Sequence, residues 1–288
     1  MKTIKEKANA KINLYLDVLS QREDGFHDLA MVMQSISLAD DVSIAVEEES
    51  GIRCESNLGF LPSDERNLAV KAALIFARET GIELPGLRIR LEKRIPACAG
   101  MAGGSSDAAA VLRGLRELFA PTMPTEELER IAAFVGSDVP YCVRGTTALA
   151  EGRGEILTDL APLAPCHFVI CKPDFPISTP ELFSCVNVKK LAYHPDTKGM
   201  MSALEEKDLA GVARRMFNVF ESVLPRKYEE VFSIKHRLLE LGAMNAAMSG
   251  SGPTVYGIFD DLAAAEKAYA VLKADYEQCY LAEPVVHA

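Results

Sequence analysis

Three glycines placed directly before an amphipathic helix constrain this chain more than any other feature. Residues 96–119 read PACAGMAGGSSDAAAVLRGLRELF, in which Ala108, Val111, Leu112, Leu115 and Phe119 form an apolar stripe at helical spacing. Gly100, Gly103 and Gly104 permit positive φ and a close approach of backbone to a ligand. A helix N-terminus presents unpaired N–H groups with partial positive charge. That is equipment for holding a triphosphate. Ser105, Ser106 or Asp107 would cap the helix, and the serine hydroxyls could reach phosphate oxygens or a Mg²⁺. The loop is neither a Walker motif, since no GK[ST] follows, nor a GxGxxG after a strand. A glycine-rich turn before an ordinary serine-capped helix is the plainer alternative.

The formal net charge of −10 over 288 residues argues against a nucleic-acid or membrane-surface binder, which would show a basic face. An anionic ligand would then depend on local dipoles and a few well-placed cations. The 7 cysteines form no CxxC pair, which reads as reduced thiols in an intracellular protein and gives no metal-ligand spacing. No stretch approaches a membrane span and the start of the chain has no apolar signal region. The expectation is a soluble cytoplasmic protein of two domains that needs neither metal nor disulfide staples.

Along the chain, Ile12, Leu14, Leu16 and Val18 alternate with Lys11, Asn13, Tyr15 and Asp17, the period of a strand. Strand-like stretches follow over 26–38, 42–46 and 87–92, with a helix over 67–80 stopped by Gly81. Another helix over 126–135 leads into GSDVPYCVRG and a strand TTALAE. APLAP, near 160–165, reads as a linker, dividing the chain into 1–162 and 163–288. Beyond it come a strand (167–172), helices over 209–223 and 228–241, strands around 246 and 255, a helix over 262–274 and a strand near Tyr280. Taking the consecutive helices as one gives β-α-β-β-α-β, the ferredoxin-like pattern.

Lys11 and Asp138 draw no attention singly. The first reads as a solvated strand lysine and the second as a turn former in Gly136-Ser137-Asp138-Val139-Pro140. Their combination with other motifs does. Ala10-Lys11-Ile12-Asn13-Leu14, the glycine loop, GSDVP and Met248-Ser249-Gly250-Ser251-Gly252 occur in the order used by the GHMP kinases, which the chain resembles. The longer segments AKINLYLDV, REDGFHDLAMVMQSISLADDV and SDVPYCVRGTTALAEGRGE resemble one branch of that family over essentially the whole chain.

The resemblance implies an α/β (α+β) two-domain GHMP kinase fold, an N-terminal ATP-loop domain followed by the ferredoxin-like one. It implies transfer of the ATP γ-phosphoryl group to the 2-hydroxyl of a cytidine-diphosphate-linked methylerythritol, in non-mevalonate isoprenoid synthesis. Lys11 and Asp138 match the catalytic pair. Pro96, Ala97, Cys98, Ala99, Gly100, Met101, Ala102, Gly103, Gly104, Ser105 and Ser106 match the ATP loop. Phe26 and His27 match the pair that holds the cytosine ring, with Phe183 as a second aromatic and Asn13 and Thr179 as further acceptor-site residues. ATP is the implied cofactor, with Mg²⁺ carried on the nucleotide and no protein metal site.

Two departures stand out. Ala102 replaces a common glycine and fits only if its φ is negative; Phe26 replaces a common tyrosine, keeping stacking and losing the hydroxyl. A GHMP kinase for homoserine, mevalonate or a sugar, or a silent metabolite-sensing paralogue, are the rival readings.

Overall fold

The alternation around residues 12–18 belongs to a much longer strand. In the computed structural model, which describes residues 2–188, 191 and 193–285, β1 spans Thr3–Gln21 and β2 spans His27–Glu47. The two stretches read as separate strands over 26–38 and 42–46 are thus one. Between them Asp40 is fully buried, its carboxylate accepting from the Arg94 and Ile95 amides, so the acidic residues there do not turn the chain.

Next come β3 (Ile52–Ser56) and α1 (Leu68–Thr80), the latter capped by the Asn67 side chain on the Ala69 amide and stopped at Gly81, φ 69°. Then follow β4 (Gly86–Glu92), α2 (Gly103–Phe119), α3 (Thr125–Ala133), α4 (Val139–Arg144), β5 (Thr147–Gly152) and β6 (Ile156–Asp159). The expected linker is not a free tether: Leu163 is buried and its N–H donates to Thr147 Oγ1 at 3.3 Å. After it come β7 (His167–Lys172), α5 (Thr179–Cys185), α6 (Thr197–Glu205), α7 (Leu209–Arg215) and β8 (Phe217–Asn218). The helix expected over 209–223 stops at α7, because β8 pairs with β1 and a 3-10 turn, Val219–Val223, follows. The chain closes with α8 (Glu230–Glu240), β9 (Asn245–Met248), β10 (Val255–Phe259), α9 (Leu262–Asp275) and β11 (Gln278–Ala282).

Contacts divide these elements into two units that interleave along the sequence. The first takes Met1–Ala10, Ala39–Ala97 and Ala102–Gly145; the second takes Lys11–Leu38, Cys98–Met101 and Thr146–Ala288. In the first, the later part of β2 pairs antiparallel with β4 (Ile44 opposite Ile89), and β4 pairs parallel with β3 (Cys54 opposite Ile89). Phe76 of α1 and Val111, Leu112 and Leu115 of α2 pack with Ile44, Leu87 and Leu91 in one apolar cluster. This layer of helices on a sheet holds the start of α2 in place.

In the second unit the early part of β2 pairs antiparallel with β5 (Val32 opposite Leu149), and β1 pairs parallel with β8 (Leu16 opposite Asn218). The last four long strands form a separate antiparallel sheet in the order β11-β7-β10-β9, with α8 and α9 packed against it. In chain order those strands sit 4-1-3-2, so the ferredoxin-like expectation is borne out.

Candidate active site

Both faces of β1 are buried, which corrects the reading of its polar face as solvated. Lys11 is 4% exposed and Asn13 0%. The Lys11 ammonium donates to Asn13 Oδ1 at 2.6 Å, and the Asn13 carbonyl accepts from the Tyr256 hydroxyl at 2.8 Å. The Asn13 amide nitrogen has no partner among the described residues although it is fully buried. A buried donor left unpaired costs about 1–3 kcal/mol, so this one fits an oxygen-bearing ligand beside the lysine.

The two glycine motifs of the second unit interlock next to Lys11. The Lys11 amide donates to the Met101 carbonyl at 3.2 Å, and Ser249 Oγ donates to the Gly100 carbonyl at 3.0 Å. A Cβ on Gly100 would come within 2.2 Å of the Ser249 carbonyl; one on Gly250 would lie 3.3 Å from the Lys11 ammonium nitrogen. Both glycines also have positive φ, so any other residue there would be strained and would clash. Thr179 Oγ1 and Ser251 Oγ share a hydrogen bond of 2.7 Å.

In the first unit α2 starts at Gly103, and its N-cap, Ala102, gives no side-chain cap. Ser105, Ser106 and Asp107, expected as caps, lie inside the helix, and Ser106 and Asp107 are committed elsewhere. Ser106 Oγ donates to the Asn9 carbonyl at 2.6 Å. Asp107 takes the Lys93 ammonium at 2.5 Å, and the same ammonium pairs with Asp40. Burial pushes the Asp107 carboxyl up to about 7, Lys93 pulls it back, and the Asp40 charge pushes it up again. With Ser106 occupied, the helix start offers an anion the amides of its first turn and the half-buried Ser105. Ala102 itself has φ 57°, against the expectation of a negative value. Cys98 (φ 52°) and Gly100 (φ 71°) are also left-handed; Pro96, Ala99 and Met101 are buried, while Ala97 and Cys98 face solvent.

Asp138 is half-buried at the N-terminus of α4, after the turn closed by the Val139 amide on the Gly136 carbonyl. Its carboxylate does not cap its own helix. That spacing of a short turn and a proline-started helix leaves the side chain available for other work.

The aromatic residues divide differently from the sequence expectation. His27 stacks on Phe183, with centroids 5.0 Å apart and planes 25° from parallel, and Phe220 meets Phe183 edge-on. Phe26 is 55% exposed and lies under the Arg153 guanidinium, 5.1 Å from its centroid. Arg153 and Phe220 carried no signal in the sequence beyond a GRG turn and an apolar helix position. The Lys93–Asp40–Asp107 cluster was equally invisible, since its members lie far apart in the chain.

Among the described residues no His/Cys/Asp/Glu cluster could hold a metal ion, and no helix is long and apolar enough to cross a membrane. A glycine loop opening a helix, a buried lysine against a second glycine motif and a ferredoxin-like sheet define a small-molecule kinase of the GHMP class. The descriptions GHMP kinases N terminal domain and GHMP kinases C terminal match residues 67–146 and 200–278. The chain is 43% identical to a 4-diphosphocytidyl-2-C-methyl-D-erythritol kinase of Clostridium botulinum (strain Langeland), over 97% of this chain and 99% of that one. It is 44% identical to the enzyme of that name from Clostridium tetani, over 98% and 100%. A crystal structure of 4-(cytidine 5'-diphospho)-2C-methyl-D-erythritol kinase superposes with a TM-score of 0.83 at 32% identity, over 98% and 99%. The homoserine kinase of Cytophaga hutchinsonii, at 20% identity and TM-score 0.75, shares the fold. The chain therefore belongs to the 4-diphosphocytidyl-2-C-methyl-D-erythritol kinase family of GHMP kinases, and is a phosphotransferase that uses ATP.

Proposed function

We propose that the chain phosphorylates the 2-hydroxyl of 4-diphosphocytidyl-2-C-methyl-D-erythritol, with Lys11 and Asp138 as its catalytic pair. The observation that carries this reading is the buried, unpartnered Asn13 amide beside the Lys11 ammonium, on the strand that leads toward His27. The acceptor oxygen attacks the γ-phosphorus, the bond from that phosphorus to the β,γ-bridging oxygen breaks, and ADP leaves. Asp138 takes the hydroxyl proton, a general-base contribution of typically ~10²–10⁴-fold. Lys11 offsets charge on the acceptor and transferred group, and Asn13 orients the acceptor. The amides at the start of α2 and around Gly100 hold the triphosphate. Mg²⁺ bound with the nucleotide would supply charge neutralisation at the phosphates. His27 and Phe183 take the cytosine with Phe26 beside them, and Thr179 joins Asn13 in contacting the acceptor. The ATP-loop part would be residues 1–162 and the remainder 163–288, and the expected place of work is the cytoplasm.

The test is a coupled ADP-release assay with cytidylylated methylerythritol, plain methylerythritol, homoserine and mevalonate. Turnover with the cytidylylated acceptor alone supports the reading. Comparable turnover with another acceptor points to a different GHMP kinase, and none with any acceptor points to a sensing paralogue.

A further inference from the structure

One buried side chain in the second unit ties the wall beside Lys11 to the aromatic pair. Asn218 is 2% exposed and ends β8, opposite Leu16 of β1. Its amide nitrogen donates to two carbonyls, Met248 at 2.7 Å and Gly250 at 2.8 Å. Its Oδ1 accepts from the Phe220 amide at 3.0 Å. The first pair of bonds fixes the turn in which Gly250 approaches the Lys11 ammonium. The third fixes the 3-10 turn that carries Phe220, whose ring meets Phe183 edge-on at 4.9 Å, and Phe183 stacks on His27.

Only a primary amide of this size can do both jobs at once. It needs two donors aimed at carbonyls and one acceptor aimed at an N–H. An aspartate would set a carboxylate against two carbonyl oxygens, and an alanine would orphan three buried backbone groups. Glu221 reinforces the arrangement, accepting from the Met248 amide at 2.7 Å while its other oxygen takes Lys235 at 2.5 Å.

We infer that Asn218 is a positioning residue that sets the glycine turn beside Lys11 and the Phe220–Phe183–His27 ring series in one register. It touches no reacting atom. It makes the distance from the end that reads the base to the end that handles the phosphoryl group a fixed property of the second unit. The inference rests on the roles proposed for Lys11 and His27.

The test compares Asn218→Asp, Asn218→Ala and Phe220→Leu with the parent chain, at saturating ATP and with rates referred to counted ATP sites. Asn218→Asp keeps the acceptor for Phe220 and loses both donors, so kcat falls by about 100-fold with the acceptor KM changed less than about threefold. Asn218→Ala loses both links, so kcat falls as far and the acceptor KM rises by about 10-fold. Phe220→Leu raises the KM and leaves kcat near the parent value. A protonated carboxyl regains one donor, so the rate of Asn218→Asp relative to the parent climbs as pH falls from about 8 to about 6. Because rates are referred to counted ATP sites, a pH-dependent folded fraction alone would produce no such recovery.

Parent-like kcat in Asn218→Asp overturns the inference, as does one common pattern of kcat and KM in all three variants. If Asn218→Asp does not fold, the contrast between Asn218→Ala and Phe220→Leu decides on the same terms. Lys11→Met serves as the separate check: full turnover there removes the catalytic assignment itself, whereas inactive Lys11→Met beside active Asn218→Asp removes only the role of Asn218.

Discussion

His27 and Phe183 lie ring on ring, 5.0 Å between centroids, and the buried Phe220 meets Phe183 edge-on at 4.9 Å. A stacked pair braced from behind is a preformed platform for a planar base. Phe183→Ala removes the platform and frees His27, so the KM for the cytidylylated acceptor should rise by ~10-fold or more, at ~1–3 kcal/mol per stacked base. Phe26→Ala should cost less, because that ring is already covered by Arg153. A neutral imidazole offers one donor and one acceptor to the base edge, so the uridine analogue should be rejected more strongly than either Phe→Ala change weakens cytidine. Equal kcat/KM for the two nucleosides would remove base reading from the site.

The proposed pair of Lys11 and Asp138 makes a kinetic prediction of its own. Asp138→Asn should lose at least ~100-fold in kcat with little change in ATP affinity, since a general base acts in the transition state. Lys11→Met should also fall steeply, and it removes the ammonium that donates to Asn13 Oδ1. The double variant should be little worse than Asp138→Asn, because residues that act as a unit are non-additive. Single-turnover rates and ATP titrations check this; near-parent turnover in either single variant counts against the assignment.

Thiol chemistry should single out Cys98, in the proposed ATP loop. Cys98 and Cys185 are exposed, whereas Cys54, Cys166, Cys171 and Cys279 are buried. Burial pushes the Cys54 thiol up to about 11 and Cys166 up to about 12, which keeps both inert at neutral pH. A small alkylating reagent should therefore inactivate the enzyme through Cys98, and ATP should slow that modification and leave Cys185 unchanged. Mass spectrometry of the alkylated chain reads the result, and inactivation with Cys98 unmodified would refute it.

Stability should depend on pH through Asp107. Its unfolded carboxyl ionises near 3.8 and the folded one near 7, so the folded state holds the proton more tightly. The resulting stabilisation is complete below about 3.8 and lost as pH rises through about 7. Unfolding free energy from urea titrations should fall across that window, and Asp107→Asn should flatten the slope there. An unchanged slope in Asp107→Asn would place the proton elsewhere.

The left-handed Ala102 offers a stabilising change. A left-handed alanine costs roughly 1–2 kcal/mol, and glycine's extra freedom in the unfolded chain gives back up to ~1 kcal/mol of that. Ala102→Gly should thus gain about 0.5–1 kcal/mol in urea unfolding. A loss of stability would show that the alanine methyl contributes packing worth more than the strain.

How much of this was legible depended on whether the signal was periodic. The α1 helix with its Gly81 stop, the strands of the ferredoxin-like sheet and α9 all follow from spacing and stop residues. The second face of β1 did not, because alternation separates polar from apolar residues and is silent about what covers the polar side. β8 is too short to show a period, and Asn218 looks like any turn residue until its three partners are in place. Cys98, Gly100 and Ala102 show the converse. Gly100 has the positive φ its type permits, Gly103 and Gly104 instead open α2 in helical conformation, and where cysteine or alanine adopts positive φ no residue type announced it.

The interleaving of the two units has a consequence for synthesis on the ribosome. Every segment of the first unit has been made once Gly145 has emerged, whereas the second still lacks everything from Thr146 onward. Until then Lys11–Leu38, which includes buried apolar residues such as Ile12, Leu14, Val32 and Met33, waits without its partners from Thr146 onward. At roughly 5–20 residues per second, that exposure lasts on the order of ten seconds. No single cut in the gene yields the second unit as a fragment, so Lys11 reaches its folded surroundings only once the segments from Thr146 onward are made.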